Sequence, residues 1–336
     1  MSDPFDRLSD EERKLLKKRA FPTWMDPMLA ALTNKRFSDP DWIYEPKLDG
    51  VRLVVYRKGS KVRLMSRNKK ERSAAYPEIA EALAVIDPET DDFVLDGEVV
   101  AFDDGVTSFS KLQDRMGLQD PDKARATGID VYYYAFDLLY LDGRDTTKLP
   151  LRRRKALLKR ALDFHDPIRF MTHRNEEGEK YFKEACAGGL EGLIAKRASS
   201  EYVHARSRDW LKFKCAHGQE FVIGGFTDPQ RSRKGFGALL VGYYEGDELR
   251  YAGKVGTGYT DEMLEELRSK LERSERKTPP FAEDELPSKG VHWVSPRLVA
   301  EVGFTEWTGD GRLRHPRFLG LRDDKAPRRV VRERSG

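Results

Sequence analysis

Glu45-Pro46-Lys47-Leu48-Asp49-Gly50-Val51-Arg52 places a lysine at the end of a strand-like run, just before a bend. Ile43 and Tyr44 lead in with strand-forming residues, Asp49-Gly50 turns the backbone, and Arg52 to Tyr56 reads as a second strand, so Lys47 is expected to project near the turn. That is a nucleophile's position. A lysine amine attacks only when neutral, a state favoured by burial and by neighbouring cations, and Arg52 is one candidate neighbour. In isolation, Lys-x-Asp-Gly equally fits an ordinary hairpin, so the reading depends on what the rest of the chain supplies.

The chain has 336 residues, long for one core and comfortable for two. With 35% charged and 39% hydrophobic residues it reads as globular, and no apolar run approaches the ~18 residues of a membrane helix. Met1 to Arg19 is a charged helix candidate without the hydrophobic centre of a secretory signal, which is expected to place the protein in the cytoplasm. Two cysteines, Cys186 and Cys215, are too few for a disulfide framework or a four-cysteine zinc site and read as buried thiols. The six histidines lack metal-ligand spacing, so any metal would be held by oxygen. Net charge is +4, unevenly placed: from Arg312 to Arg334 nine Lys/Arg face three Asp/Glu, and Gln230-Arg231-Ser232-Arg233-Lys234-Gly235 adds a basic loop. Such clusters suit a polyanion, although Val331 to Gly336 fits a solvated tail equally well.

Strand runs at 52–56, 61–66, 93–102, 131–139, 193–196 and 210–214 alternate with helices that begin behind Pro77 and Pro150. Beyond Cys215-Ala216-His217-Gly218 the chain changes character. Five short strands follow, at 220–227, 238–244, 249–255, 291–294 and 298–307, with a helix after Thr260 between the third and fourth. That order is expected of an OB-type Greek-key barrel, and Thr278 to Pro287 reads as an extended loop inside it.

Several segments have the charge and spacing of a nucleotide site. Ser66-Arg67-Asn68 ends a strand with a cation, and the period of two puts Asp96 and Glu98 on one face, where a carboxylate meets a ribose hydroxyl or a divalent cation. Tyr132 to Phe136 is dense in aromatics able to stack on a purine. Glu191 lies between glycines in Gly188-Gly189-Leu190-Glu191-Gly192. In Asp209-Trp210-Leu211-Lys212-Phe213-Lys214 strict alternation points Lys212 and Lys214 to one face, as a shared phosphate would require. Arg322-Asp323-Asp324-Lys325 follows the barrel, its plainest alternative being an exposed charged tail.

In order and spacing these segments, from about Pro22 to Pro327, resemble the nucleotidyltransferase motifs of ATP-dependent DNA ligases. Gly224-Gly225-Phe226-Thr227, Gly235-Phe236-Gly237, Tyr251-Ala252-Gly253-Lys254-Val255-Gly256 and Arg322-Asp323-Asp324-Lys325 are most similar to the ligase module of bacterial non-homologous end-joining ligases, in a stand-alone form without the polymerase and phosphoesterase modules often fused to it. Lys69 stands where related sequences usually carry glycine, which questions the turn after Arg67.

The resemblance implies an α+β, two-domain nucleotidyltransferase: an antiparallel-sheet adenylation domain with flanking helices over 1–217, then an OB-fold β-barrel with a basic tail over 218–336. It implies that Lys47 forms lysyl-AMP from ATP, that AMP passes to a DNA 5′-phosphate, and that the 3′-hydroxyl displaces it. Glu45 would meet the adenine, Arg52 and Glu98 the ribose, Phe136 the face of the base, and Lys212 with Lys214 the α-phosphate, with Arg67 also in the nucleotide site. Glu191 with Glu98 would hold Mg²⁺ or Mn²⁺, and Arg322, Asp324 and Lys325 would orient pyrophosphate after closure about a hinge near Cys215–Gln219. DNA is the implied partner, with a Ku-type end-binding protein and a separate repair polymerase beside it, and a monomer is expected. The rivals are an RNA ligase, a GTP-using RNA capping enzyme, an NAD-dependent ligase, and a non-catalytic nucleic-acid-binding barrel protein.

Overall fold

Strict alternation along the strands that carry the charged motifs decides where those charges point. In the computed structural model, which describes residues 4–33, 35–86, 92–215, 217–229, 234–283, 285–304 and 306–333, the chain divides into two units between Cys215 and Ala216. The first contains two sheets. Its larger sheet runs Lys17–Lys18, Arg144–Asp145, Tyr132–Leu141, Asp92–Val100, Val51–Lys58, Lys61–Ser66, with Ile168–Phe170 added parallel to Tyr132–Leu141. The smaller runs Arg174–Asn175, Trp42–Pro46, Gly192–Arg197, Arg206–Lys214, Leu29–Leu32.

Leu53, Val55, Phe93 and Leu95 point to one face of the larger sheet and pack under the helices Pro77–Val85, Phe109–Met116 and Leu151–Ala161. Val54, Tyr56, Val94 and Phe136 point to the other face and meet Tyr202 and Trp210. On the smaller sheet Trp42, Tyr44, Leu193, Ala195, Leu211 and Phe213 form an apolar layer with Ala185 of the helix Gly178–Ala187. Each such fully buried side chain contributes ~1.5–3 kcal/mol, and that layer anchors a strand whose opposite face can then carry charge. Alternation therefore leaves Glu45, Lys196, Trp210, Lys212 and Lys214 on that opposite face.

Three expectations need correcting. Trp42–Pro46 and Val51–Lys58 are not a hairpin; they belong to different sheets, and Lys47 to Gly50 crosses between them. The crossing is tight, since a Cβ on Gly50 would lie 2.2 Å from the Val99 carbonyl oxygen. The N-terminal helix spans only Asp10–Leu15, closed by a Ser9–Glu12 capping box, because Lys17–Lys18 is drawn into the sheet edge beside Arg144–Asp145. The cysteines are neither free nor buried: Cys186 and Cys215 form a disulfide, with Cys215 exposed and Cys186 half-buried.

In the second unit His217–Thr227 is the hub, pairing antiparallel with Leu239–Glu245, Val291–Val294 and Val299–Phe304. Glu248–Val255 extends one side and Arg317–Arg322 the other. The Asp261–Glu272 helix starts at Thr260, whose hydroxyl accepts from the Met263 amide, and buries Leu264, Leu267 and Leu271. The five expected strands, with the helix between the third and fourth, form the OB-type barrel together with a sixth, Arg317–Arg322, that the sequence reading did not include. The loop from Thr278 to Pro287 contributes Phe281 to the core, packed on Tyr251 and Trp293. The C-terminal segment is not a loose tail in its described part, for Val330 is fully buried and Val331 bridges to Tyr244. Of the basic loop, Gln230 to Arg233 lie outside the described residues, as do Ala216 in the expected hinge and the last residues from Arg334.

Candidate active site

Lys47 sits just beyond the Trp42–Pro46 strand and is fixed at both ends of the residue. Its backbone N–H donates to the Gly192 carbonyl at 2.9 Å, and its Nζ forms an ion pair with Glu191. The Asp49 carboxylate accepts from the Phe109 amide at 3.1 Å at the start of the Phe109–Met116 helix, while the Asp49 amide donates to the Thr107 hydroxyl. The aspartate of Lys-Leu-Asp-Gly thus anchors the crossing and aims the lysine.

Glu191 approaches from the loop before Gly192–Arg197. Gly192 is required there: at φ 145, with a Cβ that would fall 1.9 Å from the Phe213 carbonyl oxygen, it lets the loop lie against the neighbouring strand. Lys214 Nζ lies 3.8 Å from Glu191, and Lys212 adds to the field. Burial alone would raise the Glu191 carboxyl, but Lys47 first, then Lys214 and Lys212, hold it below its ordinary value. One carboxylate among three lysines is a receptor for phosphate oxygens once its own charge is shared with a cation. Among the described residues no group of three or more His, Cys, Asp or Glu can hold a metal. A divalent ion such as Mg²⁺ needs only one or two carboxylates, with substrate phosphates and water completing its shell, and Glu191 is a carboxylate that could serve it.

Behind Lys47, Glu45 is 2% exposed and lies between two lysines, Lys196 at 2.6 Å and Lys155 of the Leu151–Ala161 helix. Burial opposes ionisation of Glu45, yet Lys155 and Lys196 outweigh it and keep its carboxyl low. Lys196 Nζ also lies 4.2 Å from the Phe136 ring and 4.0 Å from Trp210, and those two rings meet edge to face at 6.0 Å. The Arg52 guanidinium lies 5.3 Å from the centre of the Phe136 ring. Glu45, Phe136, Arg52 and Glu191 are thus gathered on the facing surfaces of the two sheets.

Asp96 and Glu98 share a face, standing opposite Val54 and Arg52 in an unbroken register. The Asp96 carboxylate is fully buried there, accepting from Arg52 at 2.9 and 2.5 Å and from the Tyr202 hydroxyl at 2.6 Å. Asp96 therefore matches the charge of Arg52. Burial alone would lower the Arg52 guanidinium, and Asp96 reverses this and leaves it above its ordinary value. Glu98 stands opposite Arg52 in the strand register. Arg67 follows Lys61–Ser66 in a turn closed by Lys69 N–H to Ser66 O at 2.8 Å, and Lys69 adopts φ 61, so the turn forms with lysine in the region that glycine prefers.

Arg322, Asp324 and Lys325 belong to the second unit and form a cluster of their own. Arg322 clasps the fully buried Asp324 at 2.8 and 2.9 Å, and Lys325 pairs with Glu220 at 2.8 Å. They are a structured part of the barrel, not an exposed tail. Lys155, Tyr202 and the role of Asp96 were not read from the sequence. Lys155 has no local signal, because Arg152-Arg153-Arg154-Lys155 looks like a solvated basic helix face.

Comparison with known proteins identifies the family. The ATP dependent DNA ligase domain matches residues 27–214, and the ATP dependent DNA ligase C terminal region matches 232–325. The multifunctional non-homologous end joining protein LigD of Pseudomonas aeruginosa is 38% identical over 325 residues, covering 94% of this chain and 38% of that protein. The LigD repair protein of Mycobacterium tuberculosis is 39% identical over 314 residues, covering 91% of this chain and 40% of its own length. The chain thus spans about two fifths of the curated relatives it matches. A solved mycobacterial DNA ligase D, complexed with ATP and MES, is 37% identical with a TM-score of 0.66, covering 92% of this chain and 98% of that one. With its family matches spanning both units and its fold shared with that structure, the chain belongs to the ATP-dependent DNA ligases.

Proposed function

We propose that this protein seals breaks in DNA with ATP through a lysyl-AMP and then a 5′-adenylated DNA intermediate, and that its substrate is a broken end or nick in end-joining repair. The observation that carries the reading is Lys47 paired to Glu191 on a strand face that also presents Lys212 and Lys214. In the first step the Lys47 amine attacks the α-phosphorus, a P–N bond forms and pyrophosphate leaves. Lys212 and Lys214 stabilise charge on the α-phosphate oxygens. A DNA 5′-phosphate oxygen then takes the AMP from Lys47, and the 3′-hydroxyl displaces AMP to form the phosphodiester.

Before the first step the ammonium of Lys47 must lose a proton and its pairing with Glu191. Mg²⁺ or Mn²⁺ at Glu191, with Glu98, would supply the positive charge that Lys47 supplies in the free protein and polarise the phosphate. Phe136 stacks on the adenine, Glu45 accepts from its amino group, Arg52 and Glu98 hold the ribose, and Arg67 belongs to the same nucleotide site. Residues 1–217 serve as the adenylation domain and 218–336 as the OB-fold domain, whose Arg322, Asp324 and Lys325 orient pyrophosphate. The resemblance to end-joining ligases supports a Ku-type end-binding protein and a repair polymerase as partners and the nucleoid as the place of action.

Incubation with a divalent metal and α-labelled ATP, with GTP and NAD in parallel, tests the reading. Label should be retained after denaturation from ATP alone, lost on addition of nicked DNA as the nick is sealed, and absent from Lys47→Ala. No covalent label from protein free of prior adenylation would overturn it. Salt-dependent DNA binding that survives without any label would instead identify a binding protein.

A further inference from the structure

The Cys186–Cys215 disulfide brackets the loop that carries Glu191. Cys186 lies in the last turn of the Gly178–Ala187 helix, and Cys215 follows the Arg206–Lys214 strand, their Cα atoms 5.4 Å apart across a sequence separation of 29. From Cys186 the chain turns back through Gly189, whose amide donates to the Cys186 carbonyl at 3.2 Å, and reaches Glu191. The Cys215 amide donates to the Glu191 carbonyl at 3.0 Å, and the Glu191 carboxylate pairs with Lys47. Cys215 is also the immediate neighbour of Lys214. The sulfur bridge thus closes the short segment 186–191 onto the strand end that bears the phosphate-facing lysines.

We propose that Cys186 and Cys215 are a reversible thiol–disulfide couple that sets the order of the Glu191 loop and, resting on the ligase reading above, the rate of lysyl-AMP formation. An enzyme that consumes ATP and DNA works where thiols are held reduced, and disulfides there are mostly transient. Exposure of Cys215 makes it the sulfur open to exchange. In oxidation by a low-molecular-weight disulfide, the Cys215 thiolate attacks one sulfur and expels the other as a thiolate. The Cys186 thiolate then attacks Cys215 in the mixed disulfide and expels the second. Two protein thiols are oxidised, one small disulfide is reduced to two thiols, and the two protons pass to the leaving thiolates. A dithiol reverses the sequence.

The oxidised form holds Glu191 beside Lys214, and the reduced form loosens it. The Cys215–Glu191 backbone bond and the packing of Gly192 persist in both, so reduction slows the reaction and does not abolish it. Loss of an outer support for a site carboxylate corresponds to about a tenfold effect.

The test equilibrates the full chain in buffers of dithiothreitol and its cyclic disulfide, then alkylates it under denaturing conditions for intact mass. The same samples are followed by hydrogen exchange over 186–191 and by single-turnover lysyl-AMP formation. The expected result is an unalkylated oxidised form with a protected 186–191 segment and lysyl-AMP formation about tenfold faster than the doubly alkylated reduced form. Cys186→Ser and Cys215→Ser should each behave as the reduced protein in every buffer. Two alkylations throughout, or equal exchange and equal rates in the two forms, would overturn the proposal. Lysyl-AMP from neither form would sink the ligase reading and the claimed effect on rate, while mass and exchange still decide whether the couple orders the loop.

Discussion

Lys69 carries a side chain at φ 61, a left-handed conformation that costs an L-residue roughly 1–2 kcal/mol. Its Nζ recovers part of that cost over the Trp24 ring at 5.3 Å, a contact worth ~0.5 kcal/mol at an exposed site. Lys69→Gly should therefore stabilise the protein by about 0.5 kcal/mol or more, read as a higher denaturant midpoint at unchanged slope. A drop in the midpoint would show the turn to be unstrained. At Glu45 the sign reverses, because its two lysines are needed together. Lys196→Met leaves a buried carboxylate with Lys155 alone, and loss of one partner from a buried pair costs about 3–5 kcal/mol. Glu45→Gln should cost more than Lys196→Met, because it strands the buried Lys155 and Lys196 together, and it should be poor in lysyl-AMP formation as well. Lys212 and Lys214 were legible because charges at alternate positions of a strand must share a face. Lys155 was not, since its burial depends on a carboxylate more than a hundred positions away in the chain.

At the scale of elements, the Leu151–Ala161 helix is locked onto Tyr132–Leu141 by an ion pair with no exposed surface: Arg154 to Asp137 at 2.7 and 3.0 Å. Arg154→Met should cost about 3–5 kcal/mol by stranding Asp137, and adding Asp137→Leu should recover most of it, measured by urea unfolding. If the double substitution is as unstable as the single one, the pair contributes more than mutual neutralisation. The helix itself was readable from its leucines behind Pro150, but its buried arginine was not, because periodicity reports apolar faces and is silent on charges paired inside. The same limit hid the role of Asp96, whose spacing placed it on the face of Glu98 but gave no sign that Arg52 and Tyr202 would close over it. His173, just before the Arg174–Asn175 strand, makes this region sensitive to acid. Burial first, then Lys155, pushes its imidazole down to about 4 from the ordinary 6.5. The unfolded chain therefore binds the proton first as pH falls, and stability is lost from about 6.5 downward until the folded form also titrates near 4. His173→Gln should flatten the dependence of the unfolding midpoint on pH between about 6.5 and 5, above the range where carboxylates take over.

For the whole molecule, the change from helix-covered sheets to a run of short strands was visible in the sequence because it is a change in spacing, which needs no knowledge of partners. The crossing of Lys47 to Gly50 between two sheets was not, since a bend between two strands looks the same whether they pair with each other or with others. The proposed division of labour between the units follows from charge: the nucleophile and phosphate-facing lysines are in the first, and Arg322, Asp324 and Lys325 in the second. If the second unit is needed to orient pyrophosphate, it matters in the step that expels pyrophosphate and not in the last one, where AMP leaves DNA. Arg322 and Asp324 are unsuited to a clean test, because truncating either strands a partner within the barrel. Lys325 pairs with Glu220 at 2.8 Å and is the most exposed of the three, so its removal is the mildest for the fold. Lys325→Ala should slow lysyl-AMP formation from ATP by about a hundredfold, the cost of removing one charge-stabilising donor from a transition state. Sealing of a nick already carrying 5′-AMP should stay within about threefold of the parent rate, since no pyrophosphate is present for Lys325 to orient. Equal losses in both reactions would place Lys325 on the DNA instead, with a steeper salt dependence of the parent as its signature.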